Sequence, residues 1–345
     1  MPPEPLHATS LDVGMVRSAD GLEALRPAWQ SLWEAHPTAT PFQTPGWLIP
    51  WWKHFNDGYD LRVLTLRRDG QLVGVAPFVS ESLARKLRFL GCGVSDYLDV
   101  LVDPTADDEA TSAIAFYLAK GDHGCDSIEL DGIREKTSPL LRYHNYSGAI
   151  VSIRAGLVCP SVSTREEAVP HSWKKKLAYD RRKLEQLGRV SIRATSSATL
   201  VQDIHTLFRL HEVRRQQVGG RQSAFTDSRV RAFHLDAAEN ALRDGTLCLY
   251  SLVLGDVAIA SYYGFIRGSR AYYYLGGFDP AWAKYGPGNL IVDYARSEAL
   301  QHGASTFDFL RGQEAYKYRW GAHDETTWIL QMDRHRDERP TNERA

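Results

Sequence analysis

A glycine turn between a strand pattern and a helix pattern is the most informative chemical feature of this chain. Residues 284–289 read Lys-Tyr-Gly-Pro-Gly-Asn, and an apolar helical pattern follows from about 290 to 301. Glycines at a helix start let a ligand approach backbone N–H groups, and the helix dipole adds positive potential there. The alternative is an ordinary turn with Pro287 at the first helical position. The predicted phosphate or pyrophosphate site consists of Lys284, Gly286, Gly288 and Asn289.

A second group of residues suited to proton transfer lies further along the chain. Its members are Asp308, Glu314, Tyr316 and Lys317, with Tyr318 as a rival to Tyr316. Acylation of an amine needs a base to remove a proton and a donor for the departing group. For each residue the alternative is a structural hydrogen bond or ion pair. The density of such groups predicts that at least one serves chemistry.

Predicted strands and a helix position these two groups. Three strand patterns, 246–254, 257–266 and 270–278, are separated by hairpin-length turns. The helix after the glycine turn is followed by an apolar strand pattern at 306–310. A strand, a helix and a strand in succession predict a crossover with two parallel strands. We expect these two strands to splay, with backbone amides at Gly277 or Phe278 polarising a carbonyl between them.

The remaining patterns predict a similar order of elements in both halves of the chain. In the first half the predicted elements are strand 11–17, helices 21–35 and 45–55, strands 61–68, 71–80, 87–90 and 97–102, helix 107–120 and strand 126–131. In the second half helix 172–187, strand 190–194 and helices 199–216 and 227–243 precede the strands described above. A linker is predicted within 156–170. The predicted domains are 1–158 and 159–333, followed by a disordered tail at 334–345.

Composition excludes several classes of function. The 345 residues carry a formal net charge of -1, so no global field favours DNA or RNA. The four cysteines have no CxxC spacing, and no His pair has the spacing of a metal site, so no metal is expected. Neither a signal peptide nor a membrane span is recognisable. We therefore expect a cytoplasmic protein without membrane insertion.

Two helices carry further candidate residues. Helix 172–187 contains Lys-Lys-Lys and Arg-Arg-Lys runs, which suit either a solvated face or a cationic rim for an anionic substrate. Helix 199–216 carries His211, Glu212 and Arg215, which we expect to face a substrate together with Lys317. His205 on the same helix is expected to have a structural or surface role.

Three segments together resemble a known family. Residues 307–321 read Phe-Asp-Phe-Leu-Arg-Gly-Gln-Glu-Ala-Tyr-Lys-Tyr-Arg-Trp-Gly, 173–188 contain an Arg-Arg-Lys-Leu-Glu core, and 42–47 read Phe-x-Thr-Pro-x-Trp. These runs resemble the CelD/BcsL-type acetyltransferases of the GNAT superfamily, which are associated with cellulose biosynthesis, and the resemblance covers about 42 to 331. It implies two tandem GNAT-like domains as in Fem-type transferases, each an α/β fold with a mixed, mostly antiparallel sheet flanked by helices. One departure is Ala283, where the superfamily phosphate loop has Arg or Gln.

The resemblance implies an acyl-CoA-dependent N-acyltransferase whose C-terminal domain binds acetyl-CoA or another acyl-CoA. The acceptor would be an amine on a sugar, a polysaccharide precursor or a small metabolite. Tyr316 lies near the position where the superfamily often has its acid, and Glu314 would be a base or an acceptor anchor, with Asp308 as the alternative base. An aminoacyl-tRNA-dependent transferase and a non-catalytic scaffold remain the alternatives. The first half has no glycine turn ahead of its helix 107–120. Asp103 precedes that helix and Asp107 and Asp108 begin it, and since these carboxylates would repel a pyrophosphate we expect no CoA there.

Overall fold

The computed structural model describes residues 11–121, 123–142, 149–217 and 223–334. The helices are α1 Ala19–Ala35, α2 Pro45–Phe55, α3 Asp107–Lys120, α4 Pro139–Arg142, α5 His171–Glu185, α6 Leu200–Gln217, α7 Ser228–Arg243, α8 Pro287–Gln301 and α9 Ala315–Tyr318. The strands are β1 Asp12–Val16, β2 Tyr59–Arg68, β3 Gln71–Glu81, β4 Lys86–Phe89, β5 Leu101–Val102, β6 Ser127–Ile133, β7 Ala149–Ser163, β8 Val190–Ala194, β9 Leu247–Leu254, β10 Val257–Arg267, β11 Arg270–Phe278, β12 Thr306–Asp308 and β13 His323–Arg334.

The chain divides into two compact units. Unit 1 comprises Met1–Leu157 together with Thr326–Ala345, and unit 2 comprises Val158–Glu325. The chain therefore returns to unit 1 after Glu325, whereas the sequence-based boundary keeps 159–333 in one domain. The chain returns because β13 pairs with β6, a strand of unit 1 that is distant from β13 in sequence.

In unit 1 a sheet of order β1-β2-β3-β4-β6-β13 is flanked by helices, and β5 pairs with β3. Helix α1 begins where the side chain of Ser18 accepts a hydrogen bond from Gly21 N at 3.2 Å, an ordinary N-cap. Its apolar residues recur every three or four positions and are buried, including Trp29, which is 1% exposed. Helical spacing in the sequence thus predicted this helix and its buried face correctly.

In unit 2 the sheet order is β7-β12-β11-β10-β9-β8. All of these pairs are antiparallel except β11 with β12, which is the parallel pair that the crossover predicted. Successive strand residues point to opposite faces. On β10, Tyr262 packs in a core with residues of α5 and α8, and the ring of Tyr263 lies beside His234 of α7. The predicted mixed, mostly antiparallel sheet flanked by helices is confirmed.

Three local predictions are wrong. The segment predicted as a linker at 156–170 is β-strand up to Ser163, because Pro160 uses its carbonyl, not an N–H, to pair with Phe309 N at 2.9 Å. The predicted strand 97–102 is reduced to Leu101–Val102. The predicted strand 306–310 ends at Asp308, because Leu310 has a left-handed backbone with φ +56°.

Two further observations concern the described part of the chain. None of its helices combines the length and apolar character that crossing a bilayer requires. The predicted tail lies outside the described residues except for Arg334, the last residue of β13.

Candidate functional site

The parallel strands β11 and β12 separate after three paired residues. Their last pair is Tyr272 with Asp308, and β11 then continues to Phe278 without a pairing strand on that side among the described residues. Tyr263 pairs with Leu275 and Gly264 pairs with Tyr273, so Tyr274 is an extra residue that forms a bulge in β11. Bulges disrupt a ladder locally and recur next to active sites. We call the space between β11 residues 273–278 and the end of β12 the strand opening.

Two tyrosines from distant parts of the chain lie close to each other at the strand opening. Burial, with the nearby charge of Glu314 as a lesser cause, raises the pKa of Tyr273 to about 12. Burial also raises the pKa of Tyr316 well above its ordinary value, with Tyr273 and Glu314 as further causes. The Tyr316 ring packs edge to face against the Phe309 ring, with 6.2 Å between the ring centroids. The Tyr316 hydroxyl has no hydrogen-bond partner among the described residues. Both phenols are therefore protonated near neutral pH and able to donate.

Lys317 holds the loop that follows β12. Its side chain is 3% exposed, and Nζ donates to the carbonyls of residues 310, 311 and 312 at 3.0, 2.9 and 2.9 Å. The ammonium group also pairs with Glu314 Oε2 at 2.9 Å, although the Glu314 side chain is 58% exposed. An ammonium group has three N–H bonds, and here they are all used within the protein. Lys317 therefore fixes the loop, and Glu314 is the accessible member of the pair.

Asp308 lies apart from these tyrosines. Its side chain is buried, accepting from Arg270 at 2.8 Å and from Leu310 N at 2.8 Å. Neighbouring Phe307 and Phe309 point into the core shared with Tyr316, so the alternation of β12 turns Asp308 to the opposite face. Its geometry is that of a structural ion pair.

The glycine turn has the predicted backbone form with an unexpected neighbour. Gly286 has φ +62° and caps α8, which begins at Pro287. A Cβ at Gly286 would lie 2.7 Å from Asp180 Oδ2, so the turn accommodates a carboxylate of α5. Asp180 is 1% exposed and ion-paired with Lys176. A negative charge therefore already stands at this helix N-terminus, where the dipole stabilises it.

The other residues predicted around the turn have separate positions. A Cβ at Gly288 would lie 3.0 Å from the ring of Phe278, so these two residues touch. The Phe278 ring also lies 4.7 Å from the guanidinium of Arg214. Lys284 is exposed, with Nζ over the Tyr285 ring, and a Cβ at Gly286 would lie 3.7 Å from the side-chain nitrogen of Asn289.

Gly277 serves the packing of α6 against the sheet. A Cβ at this position would lie 2.4 Å from the backbone nitrogen of His211, so α6 approaches closely only because the residue is glycine. Its cross-strand neighbour on β10 is another small residue, Ser261.

His211 is buried on α6 and bonds Ser223 Oγ through Nδ1 at 2.9 Å. Burial lowers the pKa of His211 to about 4, with the charge of Arg215 as a lesser cause. Burial lowers the pKa of its neighbour His234 to about 3. Both imidazoles are neutral at physiological pH, and Arg215 is the exposed member of the predicted substrate group.

The sequence did not reveal Tyr273, Arg214, Phe309 or Asp180 as neighbours of the site. Alternation in the strand pattern at 270–278 places Tyr273 on the same face as Ala271, which is the one signal that was present. Among the described residues, no group of three or more His, Cys, Asp or Glu side chains is arranged to hold a metal ion.

Comparison with known proteins found one matching family profile. Residues 171–318 match the profile of the family described as "Acetyltransferase (GNAT) domain". No curated protein matches the chain in sequence.

Solved structures share the fold over most of the chain. FemX is 13% identical, with a TM-score of 0.63 over 92% of this chain and 96% of that one. A conserved protein of unknown function from Bacteroides thetaiotaomicron is 8% identical, with a TM-score of 0.57 over 94% of this chain and 100% of that one. A tandem GNAT protein from the clavulanic acid biosynthesis pathway is 12% identical, with a TM-score of 0.50 over 93% of this chain and 98% of that one. Residues 171–318 thus match a GNAT acetyltransferase domain, and the chain shares the fold of FemX and of the tandem GNAT protein.

Proposed function

We propose that unit 2, which contains the GNAT acetyltransferase domain, transfers an acyl group from acyl-CoA to an amine by direct attack on the thioester. The acceptor is an amine on a sugar, a polysaccharide precursor or a small metabolite, as the resemblance to the CelD/BcsL family implies. The observation that carries the proposal is the strand opening, with the hydroxyl-bearing side chains of Tyr273 and Tyr316 beside it.

In this proposal the pantetheine lies in the strand opening and the pyrophosphate lies at the glycine turn. Phe278 touches Gly288, so Gly277 and Phe278 mark the phosphate end of β11. The bulge at Tyr274 lies four residues back, about 13 Å along the strand at 3.3 Å per residue. Since a thioester and a pyrophosphate cannot occupy one position, we assign polarisation of the thioester carbonyl to the backbone at the bulge.

Tyr316 is assigned to the leaving thiolate. A thiol has an ordinary pKa of about 8.5, far below that of this buried phenol, so complete proton transfer from Tyr316 would be uphill. The phenol therefore acts by donating a hydrogen bond to the developing negative charge on sulfur. Glu314 is assigned to the incoming amine, because its carboxylate is exposed while Lys317 fixes its position. Arg215 is the exposed substrate-binding candidate, and His211, Asp308 and Lys317 support the fold of the site.

One observation favours a second candidate, an aminoacyl-tRNA-dependent transferase. Asp180 stands at the Gly286 turn, and a carboxylate there opposes a pyrophosphate unless its ion pair with Lys176 rearranges. The neighbouring face of α5 is exposed and basic, with Lys175, Arg181 and Arg182 among its residues. Such a face suits the phosphates of an RNA as well as those of CoA.

Acetyl-CoA binding separates these candidates. A ligand that binds only the native state raises the melting temperature, so acetyl-CoA should stabilise the parent protein. Gly288→Val should remove most of that shift, because the added atoms displace Phe278 from beside the turn. The matched control is Ala281→Val at an exposed position in the preceding turn, which should keep the shift.

An unchanged shift in Gly288→Val would place the CoA site elsewhere. No shift with acetyl-CoA, together with stabilisation by aminoacyl-tRNA, would establish the second candidate instead. Absence of both would favour a non-catalytic scaffold.

A further inference from the structure

Unit 1 contains a cavity that the proposed function does not use. It has a volume of about 340 Å³, which is within the range of small-molecule sites. Its walls come from the end of α1, from residues 97–100 and from the connection between β6 and α4. All of its lining residues belong to unit 1, so an inference about it does not depend on the acyl-transfer proposal.

Asp99 lines this cavity, and among the described residues one of its two carboxylate oxygens has no hydrogen-bond partner. Its Oδ1 accepts from Ser138 Oγ at 2.8 Å and from Val100 N at 2.8 Å. Ser138 is 3% exposed, and its hydroxyl also accepts from Leu140 N at 3.2 Å, so its single proton is committed to Asp99. Among the described residues no group bonds Oδ2, and Asp99 is partly exposed where it lines the cavity.

The other charged groups of the lining neutralise one another. Arg134 pairs with Glu135 at 2.7 Å, and Arg142 pairs with Asp107. Asp99 makes no ion pair in the described part of the chain, so the ionised cavity has one negative charge in excess. Burial raises the pKa of Asp99 to about 7, although the bonds from Ser138 and Val100 lower it. The remaining titratable groups in the lining are His36 and Tyr97.

We propose that this cavity binds a small amine-bearing molecule, with the ammonium group donating to Asp99 Oδ2. A partly desolvated carboxylate without a counter-ion is costly, and a cation beside it both supplies the missing charge and completes its hydrogen bonding. An anion would meet guanidinium groups that already have carboxylate partners. A neutral polyol would leave the charge of Asp99 uncompensated.

Binding of an amine should be accompanied by a measurable release of protons. An ammonium group stabilises the ionised carboxylate, so binding below neutral pH should release a proton from Asp99. The other titratable or charged groups that line the cavity are His36, Tyr97, Asp107, Arg134, Glu135 and Arg142. The released proton must therefore be traced to Asp99 by substitution.

The test is calorimetric titration of the full chain with glucosamine, ethanolamine and lysine, with glucose as the amine-free control. We expect millimolar or tighter binding of at least one amine, no binding of glucose, and proton release near pH 6 from measurements in buffers of different ionisation enthalpy. Asp99→Asn should weaken binding at least tenfold and abolish proton release, since the near-isosteric amide cannot ionise. Asp126→Asn, which alters an exposed ion pair with Arg85, is the matched control and should bind as the parent does.

A folding defect is checked by the melting temperature, which Asp99→Asn should not lower. Ser138→Ala provides a second variant, because it removes one bond to Oδ1 and leaves Oδ2 in place. We expect it to retain binding with an altered proton release. The proposal is overturned by equal binding of glucose and glucosamine, by parental binding in Asp99→Asn, or by failure of all three amines to bind.

Discussion

Removal of the Lys317 ammonium group should destabilise unit 2 strongly. In Lys317→Met the three carbonyls of residues 310–312 and the carboxylate of Glu314 lose their donor. Hydrogen bonds to a charged group contribute about 1.5–3 kcal/mol each, but desolvation of the buried ammonium offsets part of that sum. Loss of one partner from a buried charged network typically costs about 3–5 kcal/mol. For a unit of this size, that lowers the melting temperature by about 6–20 °C.

Calorimetry and hydrogen exchange test this prediction together. The amides of 310–314 should exchange faster in Lys317→Met, because Leu310 has a left-handed backbone that the intact loop maintains. Lys175→Met is the matched control, since Lys175 is exposed and should change the free energy of unfolding by less than about 0.5 kcal/mol. A loss below about 1 kcal/mol in Lys317→Met, or unchanged exchange in the loop, would refute the role assigned to this lysine.

Three further predictions concern stability. The folded-state pKa values of His211 (about 4) and His234 (about 3) lie below the ordinary 6.5. In urea melts the free energy of unfolding should therefore fall as the pH drops below about 6.5, and it should fall less steeply in His211→Gln. The pH dependence that Asp99 contributes has the opposite sign, because folding raises the pKa of Asp99 from 3.8 to about 7. Its contribution to the free energy of unfolding should therefore fall as the pH rises between these two values, and Asp99→Asn should make stability less dependent on pH in that range. Gly277→Ala should cost about 1–3 kcal/mol in the same melts, because its Cβ would lie 2.4 Å from a backbone atom of α6.

Local signals accounted for much of the fold. Strands β9 to β11 were predicted within a residue or so, because β-branched and aromatic runs alternate with two- and three-residue turns. Strand β7 was missed because Gly156, Pro160 and several serines in it are typical of a loop. Only the structure gives the reason for Gly156, whose Cβ would lie 2.6 Å from Thr327 Oγ1 on a strand that is distant in sequence.

The candidate site was harder to predict because its geometry is non-local. The glycine turn was recognisable, but its neighbour Asp180 comes from a helix more than one hundred residues earlier. Tyr316 was identified through the family resemblance, whereas its partner Tyr273 depends on where β11 and β12 separate. For Lys317 the sequence was misleading, because the residue type suggested substrate binding. Its burial in the structure shows instead that it holds the loop after β12.

The most direct test of the central claim measures release of CoA from acetyl-CoA, with the true acceptor or with water as its proxy, beside the dissociation constant of CoA. We predict that Tyr316→Phe retains CoA binding while kcat falls about 10²–10⁴-fold, because only the hydroxyl that serves the leaving thiolate is removed. Tyr318→Phe is the matched control, since that hydroxyl is bonded to Asp324 at 2.7 Å on the surface. A near-parental kcat in Tyr316→Phe would contradict the account, and loss of rate in Tyr318→Phe alone would transfer the role to Tyr318.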